Sequence, residues 1–138
     1  MAGTIDMQHM RYLNLFSDIT RVRTNYCFKY NETIFFCVPR ELVSKAIGEE
    51  GRNTKKLNYI LNKKIKIIPI PDGIGDLRIF IQNIVSPVTF KNIDLKDNEV
   101  LLGASTQSKA ALIGRNKRRL LEMQRIIKDF FAKEFRIV

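Results

Sequence analysis

The chain has 138 residues, 45% of them apolar, and a formal net charge of +10. That length holds one ordinary domain or two very small ones, with enough apolar residues for a core. No apolar run approaches the roughly 18 residues of a membrane span, and the opening MAGTIDMQHMRY has no basic segment leading into an apolar run, so the expected setting is the cytoplasm, without membrane contact.

In chain order, Met10, Leu13 and Phe16/Ser17 follow the spacing of an amphipathic helix. Two strands are expected at about 22–30 and 33–39, joined by a tight turn at Asn31-Glu32. A short helix at 41–47 leads into the glycine loop Gly48-Glu49-Glu50-Gly51. A longer helix at about 52–62 turns Leu57, Ile60 and Leu61 inward. A strand at 65–70 closes this first set. The Pro/Gly-rich stretch 71–75 reads as a linker.

The same order then repeats. A helix containing Ile79, Phe80 and Ile84 ends before Pro87. Strands at about 88–95 and 99–105 turn at Asp97-Asn98. A short helix at 107–113, a loop at Gly114 and a helix at about 116–133 follow, with Leu120, Met123, Ile127, Phe130 and Phe131 inward. Residues 135–138 form the last strand. Sliding the chain on itself until Gly48 meets Gly114 brings Ile19-Thr20-Arg21-Val22 onto Val85-Ser86-Pro87-Val88 and Ala46-Ile47-Gly48 onto Leu112-Ile113-Gly114, with no gap. The chain is therefore read as a duplicated α-β-β-α-α-β unit, with domains at 1–70 and 76–138 and a linker at 71–75.

Charge follows the repeat. Basic excess collects in 51–75 and 101–138, while 1–50 is neutral and 76–100 nearly so. His9 is the sole histidine, and Cys27 and Cys37 are the only cysteines. No metal site or cofactor is expected from this set. The two cysteines read as reduced, buried thiols, with a cross-strand disulfide as the alternative. No phosphate-binding G-x-x-x-x-G-K-[ST] loop and no nucleophile–histidine pairing occurs, so an enzyme is not expected.

Two short helices around a glycine turn, preceded by a helix and hairpin, resemble a type II KH domain. Together with Met10-Arg11-Tyr12, Leu15-Phe16, Thr20-Arg21-Val22, Phe80-Ile81-Gln82-Asn83-Ile84 and Ser86-Pro87-Val88, the tandem is similar to the archaeal NusA-like transcription factors. The resemblance implies an α+β fold of two tandem type II KH domains, and the linker of only a few residues, rich in Pro and Gly, leads us to expect them packed together. It implies binding of single-stranded RNA in transcription elongation or termination and contact with RNA polymerase; the chain is expected to be a monomer. In such domains a G-x-x-G turn lets a nucleic-acid backbone approach closely, and the following helix start attracts phosphate.

The candidate RNA-binding residues are Gly48, Gly51, Arg52, Lys55 and Lys56 in copy one, and Gly114, Arg115, Lys117, Arg118 and Arg119 in copy two. Copy one departs from the pattern by carrying Glu49 and Glu50 between its glycines. Copy two departs by having one glycine. Without a gap Lys117 replaces the second glycine; with a three-residue deletion Arg115 matches Arg52 and Leu120 matches Leu57. The alternative function is a protein-binding adaptor of the transcription machinery whose glycine turns no longer hold RNA.

Overall fold

The computed structural model describes residues 7–138. It is α+β, and the chain divides between Ile70 and Pro71 into two compact units. Segment 71–75 belongs with the second unit, where a 3-10 turn at Ile74–Asp76 leads into the next helix.

The first unit runs α1 (Met7–Thr20), β1 (Tyr26–Tyr30), β2 (Thr33–Val38), α2 (Val43–Ile47), α3 (Arg52–Leu61) and β3 (Lys64–Pro69). Its sheet has the order β1-β2-β3. β1 and β2 are antiparallel, with Tyr30 opposite Thr33. The two residues between them, Asn31 and Glu32, both have positive φ (50° and 60°), the conformation that matches strand twist in a two-residue hairpin. β2 and β3 are parallel, with Phe36 opposite Ile67. β2 is buried along its whole length, as its β-branched and aromatic composition favours.

Ile34, Phe36 and Val38 share one face of β2 and pack with Phe16, Ala46, Leu57, Ile65 and Ile67. The rings of Phe16 and Phe36 stack with centroids 4.3 Å apart, worth about 1 kcal/mol beyond burial of their area. Cys27 stands on this core face, opposite Phe36, whereas Cys37 stands on the other face, opposite Tyr26. The two thiols stand on opposite sides of the sheet and form no disulfide, which sets aside a cross-strand bond. Burial, and then the neighbouring Cys27, push the Cys37 thiol far above its ordinary range.

The second unit runs α4 (Leu77–Val85), β4 (Asn92–Lys96), β5 (Glu99–Gly103), α5 (Thr106–Ile113), α6 (Arg118–Phe131) and β6 (Glu134–Ile137). Its sheet order is β4-β5-β6, antiparallel and then parallel, as in the first unit. Phe80 of α4 meets Phe130 and Phe131 of α6, with ring centroids 4.8 and 5.8 Å apart. Ser105 caps α5, its Oγ accepting the Ser108 N–H at 3.2 Å, one of the helix-start donors that would otherwise lack a partner.

Several expected boundaries move. β1 begins at Tyr26 rather than near 22 because Arg21 takes a positive φ of 62°, and the chain rejoins the sheet only where the Thr24 hydroxyl donates to the Cys37 carbonyl. β4 begins at Asn92 rather than near 88, since the Val88 N–H turns back to the Val85 carbonyl (2.9 Å). α6 begins at Arg118 rather than 116 because Asn116 and Lys117 are left-handed. Ile60, expected inward, is 44% exposed. The buried stripe of α3 centres on Leu57, with Asn53 and Leu61 one turn to either side, and Ile60 falls at its rim. Met10 and Ile79 are also exposed; Ile79 lies on the face of α4 opposite the buried Leu77, Phe80, Ile81, Ile84 and Val85.

Candidate functional site

The two glycine turns share one backbone. Gly48 (φ 82°, ψ 167°) and Gly114 (φ 74°, ψ 173°) end α2 and α5 in a region open essentially to glycine alone. Glu50 (φ 55°, ψ 29°) and Asn116 (φ 57°, ψ 28°) follow in left-handed geometry. Gly51 (φ 73°, ψ 20°) and Lys117 (φ 59°, ψ 22°) are left-handed too and precede α3 and α6. The Gly51 N–H donates to the Gly48 carbonyl at 3.1 Å, and the Lys117 N–H to the Gly114 carbonyl at 3.2 Å. The ungapped alignment is therefore the structural one: Lys117 stands where Gly51 stands.

The two glycines of copy one are constrained differently. A Cβ on Gly48 would lie 2.9 Å from the Asn53 amide nitrogen, whereas a Cβ on Gly51 would meet nothing within 4 Å. Gly114 is as closed as Gly48, facing the stem of Arg119 at 2.9 Å. The first glycine is thus required by both dihedral and space. The second requires only a left-handed residue, which costs an L-amino acid about 1–2 kcal/mol. That is why copy two can carry lysine there.

Across each turn one side chain ties the two helices. Asn53 Nδ2 donates to the Ala46 carbonyl at 3.1 Å. At the equivalent place of copy two, Arg119 Nη1 donates to the Ala111 carbonyl at 2.9 Å. Arg119 is half-buried. Of the copy-two residues expected to hold RNA, Arg119 also makes this tie through Nη1. Arg115, Lys117 and Arg118 are exposed around the turn, as are Arg52, Lys55 and Lys56 in copy one. Neither Gly51 nor Lys117 supplies a side-chain cap to the helix it precedes. Glu49 and Glu50 are exposed at the copy-one turn.

Beside α3 lies an open groove of about 300 Å³, lined by Thr33, Thr54, Lys55, Asn58, Lys64, Ile65 and Lys66. Of these only Lys55 is among the sequence-expected site residues. Lys64 and Lys66 alternate with the core residues Ile65 and Ile67 along β3. The ammonium of Lys66 sits 5.8 Å from the centre of the Phe35 ring. The signal was the run Lys63-Lys64-Ile65-Lys66, whose period of two puts its second and third cations on one side of a strand. The corresponding edge of copy two is different. Glu134 takes the place of Lys64 and pairs with Lys128 at 2.9 Å, and Glu99 takes the place of Thr33 and pairs with Arg136 at 3.5 Å.

The charges of the two copies are thus arranged in opposite senses. Copy one has an acidic turn and a cationic groove. Copy two has a cationic turn and a strand edge where carboxylates are paired with cations. Among the described residues no three His, Cys, Asp or Glu side chains approach closely enough to hold a metal ion. No described helix is long and apolar enough to cross a membrane.

No family model and no curated protein matches this chain. A solved structure described as "Crystal structure of APE1850" is similar to it, with a TM-score of 0.67 and 25% sequence identity over 97% of this chain and 99% of that one. The likeness extends over both units.

Proposed function

We propose that the chain is a tandem of type II KH domains that binds single-stranded RNA, in a NusA-like role in transcription elongation or termination. The observation that carries the RNA reading is the repeated turn. Once in each copy, the same uncapped left-handed turn opens a helix beside exposed cations: Arg52, Lys55 and Lys56, then Arg115, Lys117 and Arg118. Over Gly51 a Cβ would meet nothing within 4 Å, so a sugar–phosphate backbone has room to approach there, and in copy two Lys117 puts a cation at that same position. The helix start adds N–H groups and the positive end of the dipole, and the lysines and arginines add counterion release. The groove beside α3 supplies a concave surface for the bases. The transcriptional role and a contact with RNA polymerase rest on the family resemblance alone.

Competition among single-stranded RNA, duplex RNA and duplex DNA, at one fixed salt concentration, tests this reading. Single-stranded RNA is expected to bind most tightly. Preference for either duplex, or failure to bind any of the three, counts against it, and the latter outcome favours a protein-binding adaptor.

A further inference from the structure

The outer face of α3 carries a side chain that the turn and groove do not use. Tyr59 is 86% exposed, among the most solvent-open large hydrophobic side chains of the chain. Lys55 and Lys56 precede it by four and three residues, which places both beside it on the helix surface. Arg52 lies two turns back on the same side, and Ile60 next to it is 44% exposed. No residue of α3 is acidic, so every charge on this face has the same sign. Lys55 also lines the groove, which makes the ring and the groove neighbours across one side chain. At the equivalent place in copy two stands Arg125 rather than an aromatic residue.

We infer that Tyr59 is a stacking platform for an unpaired nucleobase of a strand leaving the α3 groove, with Lys55, Lys56 and Arg52 holding the flanking phosphates. This deepens the RNA-binding reading and rests on it. An aromatic face stacks any base, because every base has a π-surface, while the surrounding cations track the backbone. A single-sign face complements a polyanion. The contiguity with the groove favours one continuous strand as the occupant over an acidic peptide. The ring thereby extends the footprint of copy one beyond the turn, along a helix whose opening turn is flanked by carboxylates.

The chain has no tryptophan, so Tyr59→Trp introduces a unique indole at the proposed platform in the 138-residue chain. Titration uses a 12-nucleotide single-stranded RNA pool of random sequence, with polyglutamate as a control polyanion. Indole emission is expected to fall on RNA addition and not on polyglutamate addition. Tyr59→Ala is expected to weaken RNA binding about tenfold without altering its salt slope, and Tyr59→Phe to keep wild-type affinity. Wild-type binding with no quenching, and with Tyr59→Ala unchanged, overturns the platform alone. Quenching by polyglutamate but not by RNA overturns it in favour of a protein partner. Absence of RNA binding by the wild-type chain overturns the platform together with the reading beneath it.

Discussion

The two glycines of Gly48-Glu49-Glu50-Gly51 look alike in sequence and differ physically. Gly48 combines a glycine-only backbone with a Cβ direction blocked by Asn53, whereas Gly51 combines a left-handed backbone with open space. Gly48→Ala is therefore expected to destabilise the fold by about 2–3 kcal/mol and Gly51→Ala by about 1 kcal/mol, read from urea unfolding midpoints at unchanged slope. Equal losses at the two positions would contradict this assignment. Lys117→Gly belongs to the same experiment. It removes left-handed strain and a cation together, so it is expected to stabilise by about 1 kcal/mol while weakening RNA binding. The sequence located both turns but left their alignment open, because "RNKRRL" against "RNTKKL" is a better string match than the true register. Backbone dihedrals decide the register, and the side chains of Asn116 and Lys117 disguise them.

At the scale of elements, all six helices and six strands described were legible from periodicity and turn residues. The misplaced ends have local causes: left-handed Arg21 before β1, and Asn116 and Lys117 before α6. The groove was less legible, since it forms where α3 passes β3, and only tertiary packing brings Thr54 and Asn58 to Lys64. The helix–turn–helix tie was also hidden, because asparagine in one copy and arginine in the other do the same task. This makes a sharp test. Arg119→Ala is expected to cost about 1 kcal/mol through the lost hydrogen bond, together with some packing of its stem. Arg119→Asn, copying Asn53, is expected to recover much of that stability. If the asparagine variant is no better than alanine in thermal unfolding, the tie is not what stabilises the turn.

For the whole molecule, the net charge of +10 is less informative than its distribution between the copies. The cationic turn of copy two is the stronger electrostatic site under the RNA reading. Wild-type affinity is expected to fall with salt by about 0.7 log units per log unit of salt for each phosphate neutralised. Replacing Arg115, Lys117 and Arg118 by alanine should flatten that slope by up to about two units, more than replacing Arg52, Lys55 and Lys56 does. Equal flattening would mean that the copies share the charge contacts evenly. The inequality of the copies also shows where such a module can change. In the ungapped register the buried Met123 and Ile127 stand where Leu57 and the half-buried Leu61 stand in copy one. The left-handed residue that ends α3 is Asn62, whose counterpart is Lys128, yet α6 runs on to a left-handed Ala132. The added stretch 128–131 is close to one helical turn. Growth at that end leaves the glycine-turn end untouched and rotates the new residues only about 40° from the existing stripe. An insertion of half a turn there would swing the aromatic pair Phe130-Phe131 to the far side of the helix. Between α3 and α6 length is therefore added as one whole turn, at the helix end away from the glycine turn.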